Sequence, residues 1–306
     1  MFIKKLFGYI TNPKKCIEYI TYRRLYSSYG QKIDDEEYIK RLFKLKMGYE
    51  LDLDNTKTFN EKLQWLKLYN RNPEYTRIVD KYEFKNYITE KLGAEYVIPA
   101  IGRWDKFEDI DFDALPDKFV LKCNHDSGGL VICKDKSKLD INAARKKINE
   151  CLKRNYYYTS REWPYKDVKP CIIAEEYLDL PEGLTEYKIF SFDGRAEIID
   201  VCKGVAHTNN RTNTFFDREF NRLPIQSLLP NQKEEEHKPT EYEQMLAIAD
   251  KLSEGIPQVR VDFYIFKGQI YIGEMTFFHN TGMCKINPYE WDVKLGDMIT
   301  LPNKKS

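Results

Sequence analysis

The chain has 306 residues, and its Lys and Arg (49) almost balance its Asp and Glu (48), which gives a formal net charge of +1. This balance argues against a protein that binds nucleic acid through bulk positive charge. With 42% hydrophobic and 14% aromatic residues, the composition is typical of a globular rather than a disordered protein. The seven cysteines form no C-x-x-C pair, which argues against a disulfide scaffold or zinc knuckle and favours a cytoplasmic location.

Residues 1–32 are strongly basic, with seven Lys or Arg against the single Glu18, and apolar side chains such as Phe2 and Leu6 lie between the charges. No apolar run reaches the roughly 20 residues of a transmembrane helix, and charges interrupt the run that a signal peptide needs. A basic, apolar segment can bind an anionic membrane surface. We therefore predict that residues 1–33 are a basic amphipathic segment. Peripheral attachment to the inner face of the plasma membrane, packing on the domain, and docking to a partner remain open.

Residues 34–93 are predicted to form helices. Acidic residues and capping patterns mark the helix starts, and glycines mark the ends. The start signals are Asp34, the capping box of Thr58 with Glu61, and Asp80 with Glu83, whereas the stop signals are Gly48 and Gly93. The globular part of the chain is thus expected to begin with a helical region.

From Val97 onward, short β-rich runs replace the helical periodicity. The predicted strands are Lys118–Cys123, Leu130–Cys133, Cys171–Tyr177, Glu186–Phe192, Arg195–Val201, Val259–Phe266 and Gln269–Thr276. Asp193-Gly194 and Lys267-Gly268 are turn signals that predict two hairpins. Because strands and helices alternate without a regular βαβ repeat, the pattern favours an α+β fold.

Two helices are predicted among these strands, at about 140–153 from Asp140 and at 240–255, capped by Thr240 with Glu243. The segments 154–170 and 203–239 show no clear periodicity and are predicted to be loops. Long irregular segments inside a globular chain are often functional.

The sharpest chemical signal is a pair of carboxylates in the last predicted hairpin. Alternation along a strand puts Arg260 and Asp262 on one face, and Glu274 and Thr276 likewise share a face. Two carboxylates on neighbouring strands repel each other unless a cation lies between them, and hard oxygen ligands suit Mg²⁺ that carries phosphate oxygens. The alternative is a pair of solvated carboxylates on an edge hairpin.

The register of this hairpin tests the metal hypothesis. A regular hairpin with a two-residue turn leaves Asp262 opposite Gly273, so that Glu274 points the wrong way. A three-residue connection through Gln269, or one bulge, brings Asp262 opposite Glu274 instead.

A second signal is the strand, loop and strand around residues 123–129. Gly128 and Gly129 allow backbone amides to approach an anion closely, and Lys122 on the preceding strand can reach a phosphate. The loop lacks the Walker A pattern, and no helix start follows it. The alternative interpretation is an ordinary hairpin turn.

A third signal is the apolar strand that ends in Glu175 and Glu176. Such a strand can pass beneath a nucleotide base and offer backbone groups to its edge. A buried strand with charged ends is the simpler alternative when the segment is taken alone.

The order of these pieces resembles that of ATP-grasp enzymes. More closely, the chain resembles the TupA-like ATP-grasp family of bacterial surface-polysaccharide and teichuronopeptide synthesis. The matching segments are "TFNEKLQWLKLY", "DKYEFKNYITEKLGAEYVIPAIG", "LPDKFVLKCNHDSGG", "EYKIFSFDG", "VRVDFY" and "IYIGEMTF". The resemblance covers roughly residues 40–302, and several motifs in a fixed order are more specific than any one alone.

The resemblance implies an α+β ATP-grasp fold, in which two subdomains with antiparallel sheets grip ATP, preceded by a helical N-terminal extension. The implied phosphate contacts are Lys81, Lys122 and the loop Asn124–Gly129, including Asn124, Ser127, Gly128 and Gly129. Glu175, Glu176 and Leu178 would line the adenine, and Glu186 would lie near the ribose. Asp262, Glu274 and Thr276 would hold Mg²⁺, with Thr276 at a position where the family pattern has Asn and Asn280 as a substitute. Arg260 would stabilise charge on the transferred phosphoryl group.

Several residues between the adenine strand and the last hairpin are candidates for an anionic acceptor such as a uronate. They are Lys188, which alternates with Glu186 on its strand, His207 and Arg211. A surface-loop histidine is the simpler interpretation of His207. His279 either approaches the reacting acyl centre or is a structural histidine, and the sequence leaves both open.

The resemblance implies an ATP-dependent carboxylate–amine ligase that acts through an acyl phosphate in capsule or O-antigen synthesis. The expected substrates are a hexuronic acid and a small amine, either an amino acid or an amino alcohol, with ATP and Mg²⁺ as cofactors and no nucleic acid. A sugar kinase of the same fold, a glycosyltransferase and a non-catalytic ATP-binding scaffold remain alternatives. The expected divisions are 1–33, a helical region and first subdomain at 34–116, a lid subdomain with the glycine loop at 117–184, and a C-terminal subdomain with the metal site at 185–306.

Overall fold

A computed structural model describes residues 13–126, 128–179, 185–204 and 210–304. The helices are Pro13–Leu25 (α1), Ser28–Gln31 (α2), Asp35–Met47 (α3), Phe59–Tyr69 (α4), Glu74–Val79 (α5), Lys81–Lys91 (α6), Ile141–Leu152 (α7), Tyr157–Ser160 (α8), Tyr242–Ser253 (α9) and Tyr289–Asp297 (α10). The strands are Ala100–Trp104 (β1), Phe119–Cys123 (β2), Leu130–Cys133 (β3), Ile172–Glu176 (β4), Glu186–Phe192 (β5), Arg195–Lys203 (β6), Thr212–Asp217 (β7), Gln258–Phe266 (β8) and Gln269–Thr276 (β9). Short 3₁₀ turns lie at Ala94–Tyr96, Phe107–Asp109, Lys136–Lys138, Trp163–Tyr165 and His279–Gly282.

The predicted helix caps of the N-terminal region form as expected. The Asp34 carboxylate accepts from the backbone N–H groups of Glu36 and Glu37 at the start of α3. Helix α3 ends at Gly48, whose φ of 89° is a left-handed conformation that glycine adopts without steric cost. At α4 the Thr58 and Glu61 side chains bond reciprocally to backbone N–H groups, which is the predicted capping box.

The first sheet has four antiparallel strands in the order β1-β4-β2-β3. The glycine loop joins its strands β2 and β3. Helix α7 packs on this sheet, with Ile148 and Cys151 in a separate core that includes Phe119 and Leu121. Strand β1 lies before residue 117, so the sheet is not contained within residues 117–184.

The second sheet has five antiparallel strands in the order β7-β6-β5-β8-β9. Helix α9 packs against β5, β6 and β8. Along β8, Val259, Val261 and Phe263 are fully buried, as the alternation predicts. The opposite face of β8 carries Arg260 and Asp262 and faces the cavity described below.

Three local predictions were wrong. The segment 154–170 is not a loop throughout, since it contains α8 and a 3₁₀ turn. The buried Arg161, which follows α8, pairs with Asp35 at 3.0 Å and donates to the Gly30 carbonyl. These contacts anchor the segment on the N-terminal helices. Strand β7 lies within 203–239 because its backbone pairs with β6. Helix α9 begins after Glu241 without a side-chain cap, so Thr240 does not form the predicted capping box.

Helix α1 is largely exposed, with Ile17 at 64% and Ile20 at 57% exposure, and its last residue, Leu25, is buried in the core. None of the helices within the described ranges is long and apolar enough to cross a membrane. Residues 1–12, which carry part of the predicted basic segment, lie outside the described residues.

Candidate active site

A cavity of about 580 Å³ lies between the two sheets. Its walls come from β2 and the glycine loop, from β4 and α6, and from the charged face of β5, β8 and β9. Eleven residues that the sequence singled out line it: Lys81, Lys122, Gly128, Gly129, Glu175, Glu186, Lys188, Arg260, Asp262, Glu274 and Thr276. The fold thus brings residues from distant parts of the chain to one polar site.

Strands β8 and β9 place Asp262 directly opposite Glu274. The turn is the two-residue kind, with Phe266 opposite Gln269, and the register shifts by one residue between Asp262 and Phe263. Gly273 is the extra residue. The bulge therefore brings both carboxylates to the cavity, which is one of the two arrangements that the metal hypothesis required.

The cation between these two carboxylates is the Arg260 guanidinium. Its Nε and Nη2 lie 2.6 Å from the two Asp262 oxygens, and Nη2 lies 3.2 Å from Glu274 Oε1. Lys188 Nζ also lies 2.9 Å from Asp262 Oδ2 and 3.0 Å from Glu186. Burial alone would raise the pKa of Asp262, but the positive charges of Arg260 and Lys188 outweigh it and lower that pKa to about 2.

His279 follows β9 and contacts the same guanidinium. Arg260 Nη1 lies 2.6 Å from His279 Nδ1, and a guanidinium can only donate, so this ring nitrogen accepts. Burial and the Arg260 charge hold the pKa of His279 well below its usual range, so the ring is neutral. The structure thus places His279 against Arg260, which it orients, and Asn280 Nδ2 lies 2.9 Å from the other ring nitrogen.

Three lysines, Lys81, Lys85 and Lys122, also line the cavity. Glu175 is buried and pairs with Lys85, at 2.7 Å, and with Lys122. Burial would raise the pKa of Glu175, but both lysine charges outweigh it and lower that pKa. Lys81 Nζ donates to the Asp126 carbonyl at 2.8 Å. These cations form an electropositive wall suited to phosphate groups.

Lys85 was not among the predicted site residues. It lies four residues after Lys81 on α6, and residues at this spacing share a helix face. That spacing was the signal that could have identified Lys85 from the sequence.

The glycine loop approaches the cavity through its backbone. Gly128 has a φ of 114°, which side chains rarely adopt. A Cβ on Gly129 would lie 2.2 Å from Cys151 Sγ, so this position has no room for a side chain. Both glycines line the cavity. Ser127, predicted to contact phosphate, lies outside the described residues.

Four predicted residues do not line the cavity. Asn124 is fully buried, where its amide donates to Asp80 and to the Lys169 carbonyl and accepts from the Cys171 N–H, so it holds the loop in place. Glu176 is the exposed last residue of β4, and Leu178 lies past the end of that strand. Arg211 Nη2 lies 3.8 Å from Glu186, a residue that does line the cavity. His207 lies outside the described residues.

One wall of the cavity comes from residues that the sequence analysis missed. Tyr156, Glu162 and Tyr165 belong to the segment predicted as a loop, and Phe278 and Thr281 follow β9. Their aromatic and acidic character was visible in the sequence, but nothing in the local pattern located them at this site.

The oxygen atoms around Asp262 and Glu274 can be compared with the ligands that Mg²⁺ usually has in proteins. The parts of the chain that the structure describes hold no group of three or more His, Cys, Asp or Glu side chains that could hold a metal ion. Asp262 and Glu274 supply two carboxylates, and the Thr276 hydroxyl lies 3.4 Å from Glu274 Oε1. Mg²⁺ commonly takes one or two carboxylates and completes its octahedron with phosphate oxygens and water. The pair therefore fits Mg²⁺ that arrives with a phosphate rather than a free ion.

The fold is similar to a D-alanine–D-alanine ligase from Bacillus anthracis complexed with ATP, with 20% identity, a TM-score of 0.41, and coverage of 72% of this chain and 64% of that one. It is also similar to an L-amino acid ligase from Bacillus licheniformis, with 14% identity, a TM-score of 0.46, and coverage of 81% and 57%. The chain thus spans less than two thirds of the length of either ligase.

No curated protein matches the chain. The model of the TupA-like ATPgrasp family matches residues 61–300, which is most of the sequence. This match agrees with the order of the motifs and with the α+β architecture, in which a cavity lies between two antiparallel sheets. The chain belongs to the TupA-like ATPgrasp family, and its fold is the ATP-grasp fold.

Proposed function

We propose that the protein is an ATP-dependent carboxylate–amine ligase. The acid is a hexuronic acid of a bacterial surface polysaccharide, such as a capsule or O-antigen, or of its precursor, and the amine is an amino acid or amino alcohol. The observation that best supports the proposal is the row Lys188, Asp262 and Glu274 across three strands, with Arg260 between the carboxylates. This row and three lysines line the same cavity.

The lysine end of the cavity is the proposed phosphate site. Lys81, Lys85 and Lys122 supply positive charge, and the backbone amides around Gly128 and Gly129 can donate to phosphate oxygens. Glu186 lines the same cavity and is the proposed ribose contact. ATP bound in this way extends its terminal phosphates toward Arg260 and the carboxylate pair.

In the first proposed step, a carboxylate oxygen of the acid attacks the γ-phosphorus of ATP. An O–P bond forms, the bond between the γ-phosphorus and the β–γ bridging oxygen breaks, and ADP leaves with that electron pair. Arg260 is buried and rigidly held by Asp262 and His279, so its guanidinium can stabilise the developing charge without reorganising. Asp262, Glu274 and Thr276 are the proposed Mg²⁺ ligands, and the ion would neutralise phosphate charge.

In the second proposed step, the amine nitrogen attacks the carbonyl carbon of the acyl phosphate. The C–N bond forms, the C–O bond to the phosphoryl group breaks, and inorganic phosphate leaves. Lys188 and Arg211 are the proposed contacts of the uronate carboxylate. Both already lie near Glu186, at 3.0 and 3.8 Å, so the acid would compete with this side chain for them.

Nucleotide products test the reaction type. We expect ADP and amide in equal amounts when the protein is given ATP, Mg²⁺, a panel of uronic acids and a panel of amines. Hydroxylamine should trap the activated acid as a hydroxamate when the amine is withheld. AMP with pyrophosphate would contradict the mechanism, and a stable phosphorylated sugar would move the assignment to a kinase.

One observation favours a second candidate, a non-catalytic ATP-binding scaffold. Asp262 is already neutralised by two cations, and Thr276 stands where the family pattern has Asn. Tight Mg-ATP binding without turnover across the full panel would support this candidate. Thermal stabilisation by a nucleotide sugar rather than by Mg-ATP would instead indicate a glycosyltransferase.

We also propose a cytoplasmic location with peripheral membrane attachment through the basic N-terminal residues. The exposed Ile17 and Ile20 on α1, next to Arg23 and Arg24, support this part of the proposal.

A further inference from the structure

The mechanism above leaves one buried carboxylate of the cavity without a role. Glu162 lines the cavity, yet its residue is only 5% exposed. Its Oε1 accepts from the Ser160 hydroxyl at 2.9 Å. Among the described residues, its other oxygen has no hydrogen-bond donor, and the carboxylate has no ion-pair partner within 4.0 Å. A buried carboxylate oxygen without a hydrogen-bond donor lowers the stability of the folded protein unless a ligand supplies the donor.

The nearest buried cation does not satisfy Glu162. Lys67 is fully buried, and its ammonium has three N–H donors. These go to Gln64 Oε1 at 2.9 Å, the Ser160 carbonyl at 3.1 Å and the Thr281 carbonyl at 2.9 Å. Lys67 therefore attracts Glu162 electrostatically but donates no hydrogen bond to it. The second carboxylate oxygen of Glu162 stays available to a ligand in the cavity.

Aromatic rings line the same end of the cavity. Tyr156 and Tyr165 lie edge to face with ring centroids 5.1 Å apart, and Phe278, which follows β9, also lines the cavity. A carboxylate beside aromatic faces is a combination that binds ammonium groups, through charge and through the ring quadrupole. An anionic ligand would be repelled here by Glu162.

We propose that Glu162, with Tyr156 and Tyr165, binds the ammonium group of the amine substrate and accepts its proton before attack. This inference rests on the ligase function proposed above and adds the residue that selects and activates the nucleophile. The proton passes from the ammonium nitrogen to the Glu162 carboxylate. The freed lone pair then forms the C–N bond while the C–O bond to phosphate breaks, and the second amine proton leaves with the phosphate.

The location and chemistry of Glu162 agree with this role. Burial is the main cause that raises the pKa of Glu162, and the negative charge of Glu274 also raises it, whereas Lys67 lowers it. Glu162 lines the same cavity as the carboxylate pair, where the acyl phosphate would form. A raised pKa makes a carboxylate a better proton acceptor for an ammonium group.

A binding experiment tests the subsite without turnover. The full-length protein is saturated with Mg-ADP, and calorimetry measures its affinity for ethanolamine, L-alanine and L-lysine. We expect at least one to bind, with a dissociation constant that rises by about tenfold or more in Glu162→Gln. Asp292→Asn, which removes a different buried carboxylate outside the cavity, should leave the affinity unchanged. Failure of the wild-type protein to bind any of the three would overturn the proposal.

A turnover experiment separates this inference from the ligase function. Hydroxylamine is uncharged near neutral pH, so no proton has to be removed from its nitrogen before attack, and the proton lost afterwards leaves with the phosphate. Glu162→Gln should therefore form hydroxamate within about twofold of the wild-type rate but lose about tenfold or more of the amide rate. Equal losses of both products, or no loss of either, would overturn the role of Glu162. Absence of both products in the wild-type protein would instead contradict the ligase function.

A second variant covers the case in which Glu162→Gln does not fold. Tyr165→Leu keeps the carboxylate and removes one ring. We expect a higher KM for the amine with an unchanged hydroxamate rate. An unchanged KM would contradict the aromatic part of the subsite.

Discussion

Asp262 and Glu274 face each other across β8 and β9, although a regular hairpin with the observed two-residue turn would pair Asp262 with Gly273. One extra residue at Gly273 corrects the register. Like-charged cross-strand neighbours are unfavourable, and here the Arg260 guanidinium bridges them. Arg260 thus holds the two carboxylates together, while the Glu274 carboxylate remains accessible from the cavity.

Removing the carboxylate of either Asp262 or Glu274 should lower the rate of ATP turnover by about 100-fold or more. The two variants should differ in stability. Asp262→Asn leaves Arg260 and Lys188 without their shared partner and should cost about 3 kcal/mol. The Glu274 side chain is 51% exposed, so Glu274→Gln should change stability by about 0.5 kcal/mol or less. ADP release and urea unfolding measure the two effects.

Thr276→Asn is the matched control for this pair. It restores the side chain typical of the family pattern and should be tolerated or mildly activating. Near-native turnover in both carboxylate variants would place the metal site elsewhere.

Gly129→Ala should disturb the glycine loop, because its Cβ would lie 2.2 Å from the buried Cys151 Sγ. Overpacking of this kind costs about 1–3 kcal/mol, and the shifted loop should weaken Mg-ATP binding. Adding Cys151→Ala removes the sulfur and should recover part of both losses. Thermal unfolding and calorimetry measure them, with Cys151→Ala alone as the control. A Gly129→Ala protein as stable as the wild type would show that the two residues are not in contact.

Stability should decline as pH rises from about 4 to 6, in part because of Asp200. This carboxylate is buried, its Oδ1 has no hydrogen-bond partner, and burial raises its pKa to about 6. A raised pKa means that the folded state holds the proton more tightly than the unfolded chain does. Asp200 therefore contributes stability in full below its pKa in the unfolded chain, and this stability is lost as pH rises through its pKa in the folded state. The stability lost in this way through Asp200 is at most about 3 kcal/mol. The opposite effect of Asp262, whose pKa is lowered, falls between about pH 4 and 2.

Asp200→Asn removes the titrating group and should flatten the stability profile between pH 4 and 6, measured by urea unfolding at each pH. An unchanged slope would show that Asp200 titrates normally.

A truncation tests membrane attachment, and the structure determines where it should end. Leu25 is 2% exposed, and the Gly30 carbonyl accepts from the buried Arg161 at 2.7 Å, so removal of residues 1–32 would damage the core. Removal of residues 1–24 should leave Mg-ATP affinity intact and reduce recovery with anionic vesicles. The difference should shrink in high salt, because screening acts within roughly 10 Å at 0.1 M. Salt-insensitive binding, or no vesicle binding by the full chain, would contradict the hypothesis.

Local features whose signals lie within a few residues of one another could be predicted from the sequence. The cap at Asp34 and the capping box of Thr58 with Glu61 formed as predicted, since each depends on neighbouring backbone groups. The last hairpin was predicted with its turn, because Lys267-Gly268 supplies the required conformation. The family was also identifiable, because several motifs occur in a fixed order.

Which side chains meet depends on packing between segments that are distant in the chain. The choice between a longer turn and a bulge depended on how β8 and β9 pack, and the bulge prevailed. Asn124 was predicted at the phosphates but lies in the interior, because buried backbone groups of neighbouring segments take its amide. Lys85 and Glu162 reach the cavity through the packing of α6 and of the segment anchored by Arg161. Burial and long-range contact create the chemistry of both residues. The spacing of Lys85 from Lys81 was visible in the sequence, whereas no spacing along the chain indicates Glu162.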